Sequence, residues 1–394
     1  MRVALIPVVP GPRAMRQAIR SVRPRSTTFV AALVAVASAA ALAQSAAAVP
    51  GSFIGGFNNV QTVASTVPKN GDVNPYGVAV APVTKGKLVA GDVLVSNFNN
   101  RRNLQGTGST IVEVSPEGNV SLFASLDPNK LPGACPGGLG LTTALVSLKS
   151  GWVIVGSLPT KDGSSASAQA GCLLVLDSSG TAVETIAGQL INGPWDMTAL
   201  DNGSSADLFV TNVLNGTVAA SPNTVDRGTV VRIDLTNLAG DSPTISSETV
   251  IGQGFPERTD PAALVVGPTG LGLGRDGTLY VADSAANRIA AISKAATAGT
   301  SSNAGTTIAT GGALNDPLGL TIAPNGDILT TNGGDGNLVE TTPSGAQVAV
   351  KMLDNSPAPP GPNGNGTLFG LAVAPAGTGV YFVDDGSNTL NLLH

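Results

Sequence analysis

The side chains this sequence offers for chemistry are oxygen ligands rather than bases. The chain of 394 residues holds a single His, the terminal His394, and two Cys, Cys135 and Cys172. A Ser–His or Cys–His pair needs an imidazole that the fold can carry to the nucleophile, and a His metal cluster needs several. Neither can be assembled here. What recurs is Asn or Asp closing short apolar runs: Asn97 in DVLVSN, Asn212 in DLFVTN, Asp283 in TLYVAD, Asn332 in DILTTN and Asp384 in VYFVDD. A second group, Asn74, Asn192 and Asp316, stands just ahead of the runs that open the same units. Amide and carboxylate oxygens are the chemistry of Ca²⁺, which takes about six to eight oxygens, usually with two or more converging carboxylates. Asp283, Asp316 and Asp384 are the candidate metal ligands on this reading, with calcium as the cofactor left open. All eight residues are candidate ligand-binding positions. The plainer role for each is to cap a turn by accepting backbone N–H groups. No residue is assigned as catalytic.

These residues belong to a repeated framework. A Pro-containing lead-in, a small apolar strand with Gly, a tight turn and a second apolar strand recur six times. The copies begin at Asn74 (NPYGVAVAP), Cys135 (CPGGLGLTT), Gly193 (GPWDMTALD), Gly267 (GPTGLGLGR), Asp316 (DPLGLTIAP) and Thr367 (TLFGLAVAP). Most continue with two more strands around a turn, as in TIVEVSPEGNVSLFA (110–124) and CLLVLDSSGTAVETIA (172–187). With 50 Gly, 27 Pro and only 12% charged residues, the composition speaks for many tight turns and against a helical bundle. Four short strands per unit, six times over, specify an all-β, six-bladed β-propeller with four-stranded blades. The last unit stops after three strands, at NTLNLLH (388–394), while SFIGGFNNVQTVAS (52–65) reads as an outer strand without partners. The expectation is that residues 53–65 complete the last blade, leave no open edge, and make residues 50–394 one domain.

Residues 1–49 read as a secretory signal peptide. Residues 1–25 carry six Arg and no acid, and an apolar run from Phe29 to Ala43 ends in small residues that allow cleavage near 43 or 48. The run is shorter and more Ala-rich than the roughly 20 strongly apolar residues of a membrane anchor. The expected location is extracellular or periplasmic. Removing six Arg from 21 basic residues leaves 15 against 26 acids, a net charge of −11. An acidic surface without a Lys/Arg cluster is a poor partner for nucleic acid or for anionic lipid. A monomer without nucleic-acid or membrane partners is expected.

One unit supports a named resemblance. DGTLYVADSAANRIAAIS (276–293) resembles the NHL repeat, matching it at Asp276, Gly277, Tyr280, Val281, Asp283, Asn287, Arg288 and Ile289. DPLGLTIAPNGDILTTNGGDGNLVE (316–340) matches more loosely. The resemblance implies a six-bladed propeller distantly similar to the gluconolactonase-like group, whose wider kin include binding platforms, calcium-dependent lactonases and His-dependent lyases. Such a likeness implies fold rather than function. The gluconolactonase-like enzymes place a Glu in an inner strand, with Asn and Asp at other inner-strand lead-ins. Asn74, Asn192 and Asp316 stand at such lead-ins here, and no inner strand carries Glu.

Chain direction in a propeller puts the insertions 97–109, 127–135, 157–171, 212–228, 253–266 and 354–366 on one face, the top. Loops carry function when a rigid scaffold positions them. The expected site is the top mouth of the central channel, ringed by the eight Asn and Asp residues and suited to a cation or a hydroxyl-rich neutral ligand. The function expected is a secreted platform that binds a protein or a small neutral or cationic ligand through this face. The alternative is a calcium-type lactonase or hydrolase at the channel mouth. Export and an even count favour a Cys135–Cys172 disulfide. Two strand spacings, about 9.5 Å, would separate the pair in a flat sheet, so one Cys must lean across to reach bonding range.

Overall fold

A computed structural model describes residues 51–394; the signal-peptide reading of residues 1–49 lies outside the described residues. Six antiparallel sheets stand around a central axis, and five of them run from an inner to an outer strand in chain order. The first blade holds β2–β5 (Val73–Val80, Val93–Asn99, Thr110–Val114, Val120–Ser125) and the second β6–β9 (Leu141–Ser147, Val153–Ser157, Cys172–Leu176, Ala182–Ile186). The third holds β10–β13 (Pro194–Asp201, Ala206–Asn212, Val225–Thr236, Thr244–Asp260) with a short fifth strand, β14 (Leu264–Val266). The fourth holds β15–β18 (Pro268–Leu273, Leu279–Asp283, Arg288–Ile292, Thr306–Thr310) and the fifth β19–β22 (Pro317–Ile322, Ile328–Asn332, Asn337–Thr341, Gln347–Met352). The sixth combines β23–β25 (Leu368–Val373, Val380–Asp384, Thr389–Leu393) with β1 (Val60–Ser65).

The strands form where the sequence supplies runs that can be covered on both faces. Second and third strands such as β3, β4, β7, β8, β16 and β20 are buried along their whole length. This is why they read as unbroken Val/Leu/Ile runs rather than alternating ones. Outer strands such as β5 and β22 leave most of their residues at least partly exposed. The core divides into six apolar clusters, one between each pair of neighbouring blades. The cluster between the sixth and first blades is the one that also spreads across the axis, through Trp195, Leu318, Phe369 and Leu264–Val266.

The ring closes as the incomplete last unit predicts. β1 pairs with β25 from Val60↔Leu393 to Ser65↔Thr389. Ahead of it, Asn58 and Asn59 donate backbone N–H bonds to the His394 carbonyl, and His394 N–H returns one to Asn59. Residues 52–54 are held from the neighbouring blade. The buried Glu340 carboxylate accepts from Ser52 Oγ at 2.7 Å, Phe53 N at 2.6 Å and Ile54 N at 2.9 Å.

Two local readings change. In the second blade Leu141, not Pro136, pairs with the end of the second strand at Ser157. The CPGGLG segment instead crosses above that strand, held by Gly137 N–H to Ala170 O and Leu158 N–H to Gly140 O. This crossing carries Cys135 to Cys172, and the two form a disulfide with Cα atoms 5.3 Å apart. The insertion at 253–266 is not a loop. β13 runs for 17 residues in all, continues past its blade and doubles back as β14, with Arg258↔Val266 through Asp260↔Leu264 in register.

Candidate functional site

The second-strand ends expected to ring the channel mouth lie one strand out from it and fasten loops. Asn212 Oδ1 accepts from Asn192 N at 3.2 Å and Gly193 N at 3.4 Å, and Asn332 Oδ1 accepts from Asn315 N at 3.2 Å. Asn97 Nδ2 donates to Thr66 O at 3.1 Å, and Asp384 Oδ1 accepts from Ser387 N at 3.0 Å. Asp283, fully buried, takes Arg288 Nε at 2.8 Å. Its carboxyl is still pushed up to about 6, because burial outweighs the guanidinium. The lead-in residues are equally engaged. Asn192 Nδ2 donates to Asn215 Oδ1 at 2.6 Å, and the Asn74 and Asp316 backbones adopt positive φ and are held by Asn388 and Asn287 side chains.

Asp283, Asp316 and Asp384 thus serve three different blades. Among the described residues no three His, Cys, Asp or Glu side chains are grouped to hold a metal ion. Six of the eight do keep one buried polar atom without a protein partner: Asn74, Asn97, Asn192, Asn212, Asp283 and Asp316.

A bulge repeated in every inner strand decides what faces the axis. In each blade the lead-in residue pairs with the second-strand end, and the register then slips before pairing resumes, as between Pro75 and Val78 or Pro194 and Met197. The first residue inside five of these bulges is Tyr76, Trp195, Thr269, Leu318 or Phe369. The aromatic ones close the top of the channel. Tyr76 stacks between Phe369 and Phe98, with centroids 3.9 and 4.4 Å away, and Trp195 packs at 6.1 Å. β14 lies over them, with Val265 O accepting from Trp195 Nε1 at 3.1 Å. The expected mouth is therefore a plug, because bulky apolar side chains occupy the place assigned to amides and carboxylates.

The second bulge residue is Gly77, Asp196, Gly270, Gly319 or Gly370 in those five blades. Glycine is required where blades abut: a Cβ on Gly319 would sit 2.1 Å from Phe369 O, and one on Gly370 2.1 Å from Tyr76 O. A hydroxyl on the second strand stitches these contacts. Ser96, Thr211 and Thr331 accept from the N–H of Gly77, Asp196 and Gly319, and donate to Thr142, Thr269 and Phe369 carbonyls of the next blade.

Asp196 therefore puts one carboxyl at a place that four other blades fill with glycine. Below it runs a cavity of about 240 Å³, from Asp196, Gly319 and Gly370 down to the inner-strand ends at Val80, Leu148 and Asp201 on the bottom face. Asp196 is 7% exposed. Its Oδ1 accepts from Met197 N at 2.8 Å and its Oδ2 from Leu271 N, in the next blade, at 2.9 Å. Burial pushes its pKa up to about 8, against the pull of those two N–H bonds. No Lys or Arg lines the cavity. Asp201 at the bottom rim is already engaged, accepting from Lys149 N at 2.6 Å and Gly203 N at 2.8 Å. The wall hydroxyls of Thr143 and Ser147 have no protein partner. Sequence reasoning missed Asp196, although the aligned lead-ins NPYG, GPWD, GPTG, DPLG and TLFG show it as the lone acid in a column of glycines.

No family model matches the chain. No curated protein matches it in sequence either. Solved structures share its fold. A luciferin-regenerating enzyme is similar at 12% identity over 85% of this chain and 94% of that one, with a TM-score of 0.51. Regucalcin from Agrobacterium tumefaciens str. C58, described as a calcium-binding protein, gives 13% identity over 84% and 93%, with a TM-score of 0.51. The PQQ-bound aldose sugar dehydrogenase of Streptomyces coelicolor gives 16% identity over 85% and 97%, again at 0.51. Likeness at these identities is likeness of architecture: the chain is a six-bladed β-propeller, distantly similar to the regucalcin type.

Proposed function

We propose that this protein is a secreted binding propeller that meets its partner with its top face and carries no reaction centre at the channel mouth. The observation that supports the reading is the plug of Tyr76, Phe98, Phe369 and Trp195 beneath β14, which fills the channel mouth with apolar side chains. The insertions over it are knitted together. Gln105 Nε2 donates to Pro261 O at 2.8 Å, Thr160 N to Gly106 O at 2.9 Å, and Ser221 Oγ meets Thr259 Oγ1 at 2.8 Å. A surface held in one arrangement loses little entropy on binding. Arg101, Arg102 and Lys161 stand exposed on its loops and Arg227 at the start of β12, on a chain whose overall charge is negative.

The alternative, a calcium-type lactonase or hydrolase, takes its support from propellers such as regucalcin, described as calcium-binding. The plug and the dispersal of Asp283, Asp316 and Asp384 speak against it. Two measurements separate the readings. A photo-crosslinking residue in place of Arg102 should give a discrete adduct in an extract of the producing cells, and one in place of Lys85 on the bottom face should not. The midpoint of thermal unfolding should respond alike to Ca²⁺ and Mg²⁺, with no turnover of a panel of γ- and δ-lactones. Equal crosslinking from both faces would remove the top-face assignment. A Ca²⁺-specific rise together with lactone turnover would replace it with the enzyme.

A further inference from the structure

We infer that the channel below Asp196 is a binding site for a small organic cation, a primary ammonium on a short apolar body, which enters from the bottom face and sets its charge against the Asp196 carboxylate. The inference is independent of the top-face reading, since the aromatic plug separates the two faces.

The scaffold does not need an acid at this place. Four other inner strands carry glycine there, and the hydrogen bond from the Asp196 backbone to Thr211 has counterparts at Gly77 and Gly319. The side chain is an addition to the fold, and an expensive one. A buried carboxyl without a cationic partner is normally driven to its neutral form. The two backbone N–H bonds leave each oxygen with spare acceptor capacity, and that capacity faces a cavity.

The walls narrow the ligand class. Val78, Leu145, Met197, Leu271, Leu320 and Leu371 supply apolar side chains that a short hydrocarbon body can touch, along a wall whose exposed surface is otherwise more polar than apolar. The unpartnered hydroxyls of Thr143, 96% buried, and Ser147 supply neutral acceptors for the remaining N–H donors of an ammonium. An anion would meet no positive charge. A divalent metal would find one carboxylate where it wants several. At about 240 Å³ the cavity falls just below the range of roughly 300–1,000 Å³ common for ligand pockets, so the ligand is small.

Charge couples the site to pH. Asp201, already paired with the Lys149 backbone at the rim, is the other ionisable group along the wall. An ammonium must displace the Asp196 proton, so its affinity should rise by up to about tenfold per pH unit until that carboxyl ionises unaided.

Calorimetric titration of the purified protein with n-butylammonium chloride, and with n-butanol as the neutral match, tests this. The expected result is one site per chain, with butylammonium at least tenfold tighter than butanol and tighter at pH 8 than at pH 6. Binding should vanish in Asp196→Asn. It should vanish also in Ala199→Phe, whose ring fills the bottom of the channel and leaves the carboxyl untouched, so the test survives if the Asn variant fails to fold. Absence of saturable butylammonium binding, equal binding of butanol, or binding kept in Ala199→Phe would each overturn the site.

Discussion

A proton on Asp196 is part of the folded state near neutral pH. Unfolded, this carboxyl titrates at the ordinary value near 4; folded, burial holds it up to about 8. Between those values the native chain binds a proton that the unfolded chain has released, so stability falls as pH rises through the window. Each pH unit there removes up to about 1.4 kcal/mol. Glu257 and Asp385 are raised to about 7 by the same cause and add to the slope. Asp196→Asn should therefore lose less stability than wild type between pH 5 and 8, which urea unfolding at stepped pH would measure. Parallel slopes would mean that Asp196 is ionised throughout. At this scale the sequence is legible only in part. The Asn and Asp at the strand ends are visible by type, but whether an amide faces an axis or a neighbouring loop depends on a bulge that no run of letters displays. Asp196 was visible only by contrast with the glycines aligned to it.

Elements were easier to read than their register. Turn chemistry and buried Val/Leu/Ile runs mark nearly every strand, because burial on both faces demands apolar residues without interruption. The second blade misleads because its Pro and glycines imitate a lead-in while the pairing begins at Leu141. The top ribbon misleads because Gly252, Gly254 and Pro256 look like a turn inside what is a continuing strand. The misplaced lead-in is also what makes the disulfide feasible. It closes a segment of 37 residues within the second blade, for which the chain-entropy relation gives about 4 kcal/mol and measured bonds about 2–4. The double variant Cys135→Ala/Cys172→Ala should lose about 3 kcal/mol in denaturant unfolding. Its β6–β9 amides should lose hydrogen-exchange protection first. A loss below about 0.5 kcal/mol would show that the crossing segment is held by its backbone bonds alone.

For the molecule as a whole, the ring is only as closed as its composite blade. Without residues 51–65, the third strand of that blade, β25, becomes an open edge, and the buried Glu340 loses Ser52, Phe53 and Ile54 together. Burial of Ile54 alone is worth about 2 kcal/mol. Deletion of residues 51–65 should cost more than about 3 kcal/mol and shift the protein to larger species in light scattering, as exposed strand edges pair. Unchanged mass and stability would show that the other five blades and β23–β25 suffice. This level of structure was the most legible in the sequence, because six matched units, the last of them stopping short, leave a single way to close.

The same blade sets an order in time. Along the described residues β1 precedes every other strand and β25 follows them all, so the first waits for the whole ring between them before it can pair. A ribosome that stalls anywhere short of Thr389 releases a chain whose opening strand has no neighbour to join. Closure of the ring thereby reports that β25 has been made, and a chain that stops before it carries its own mark in an unpaired β1.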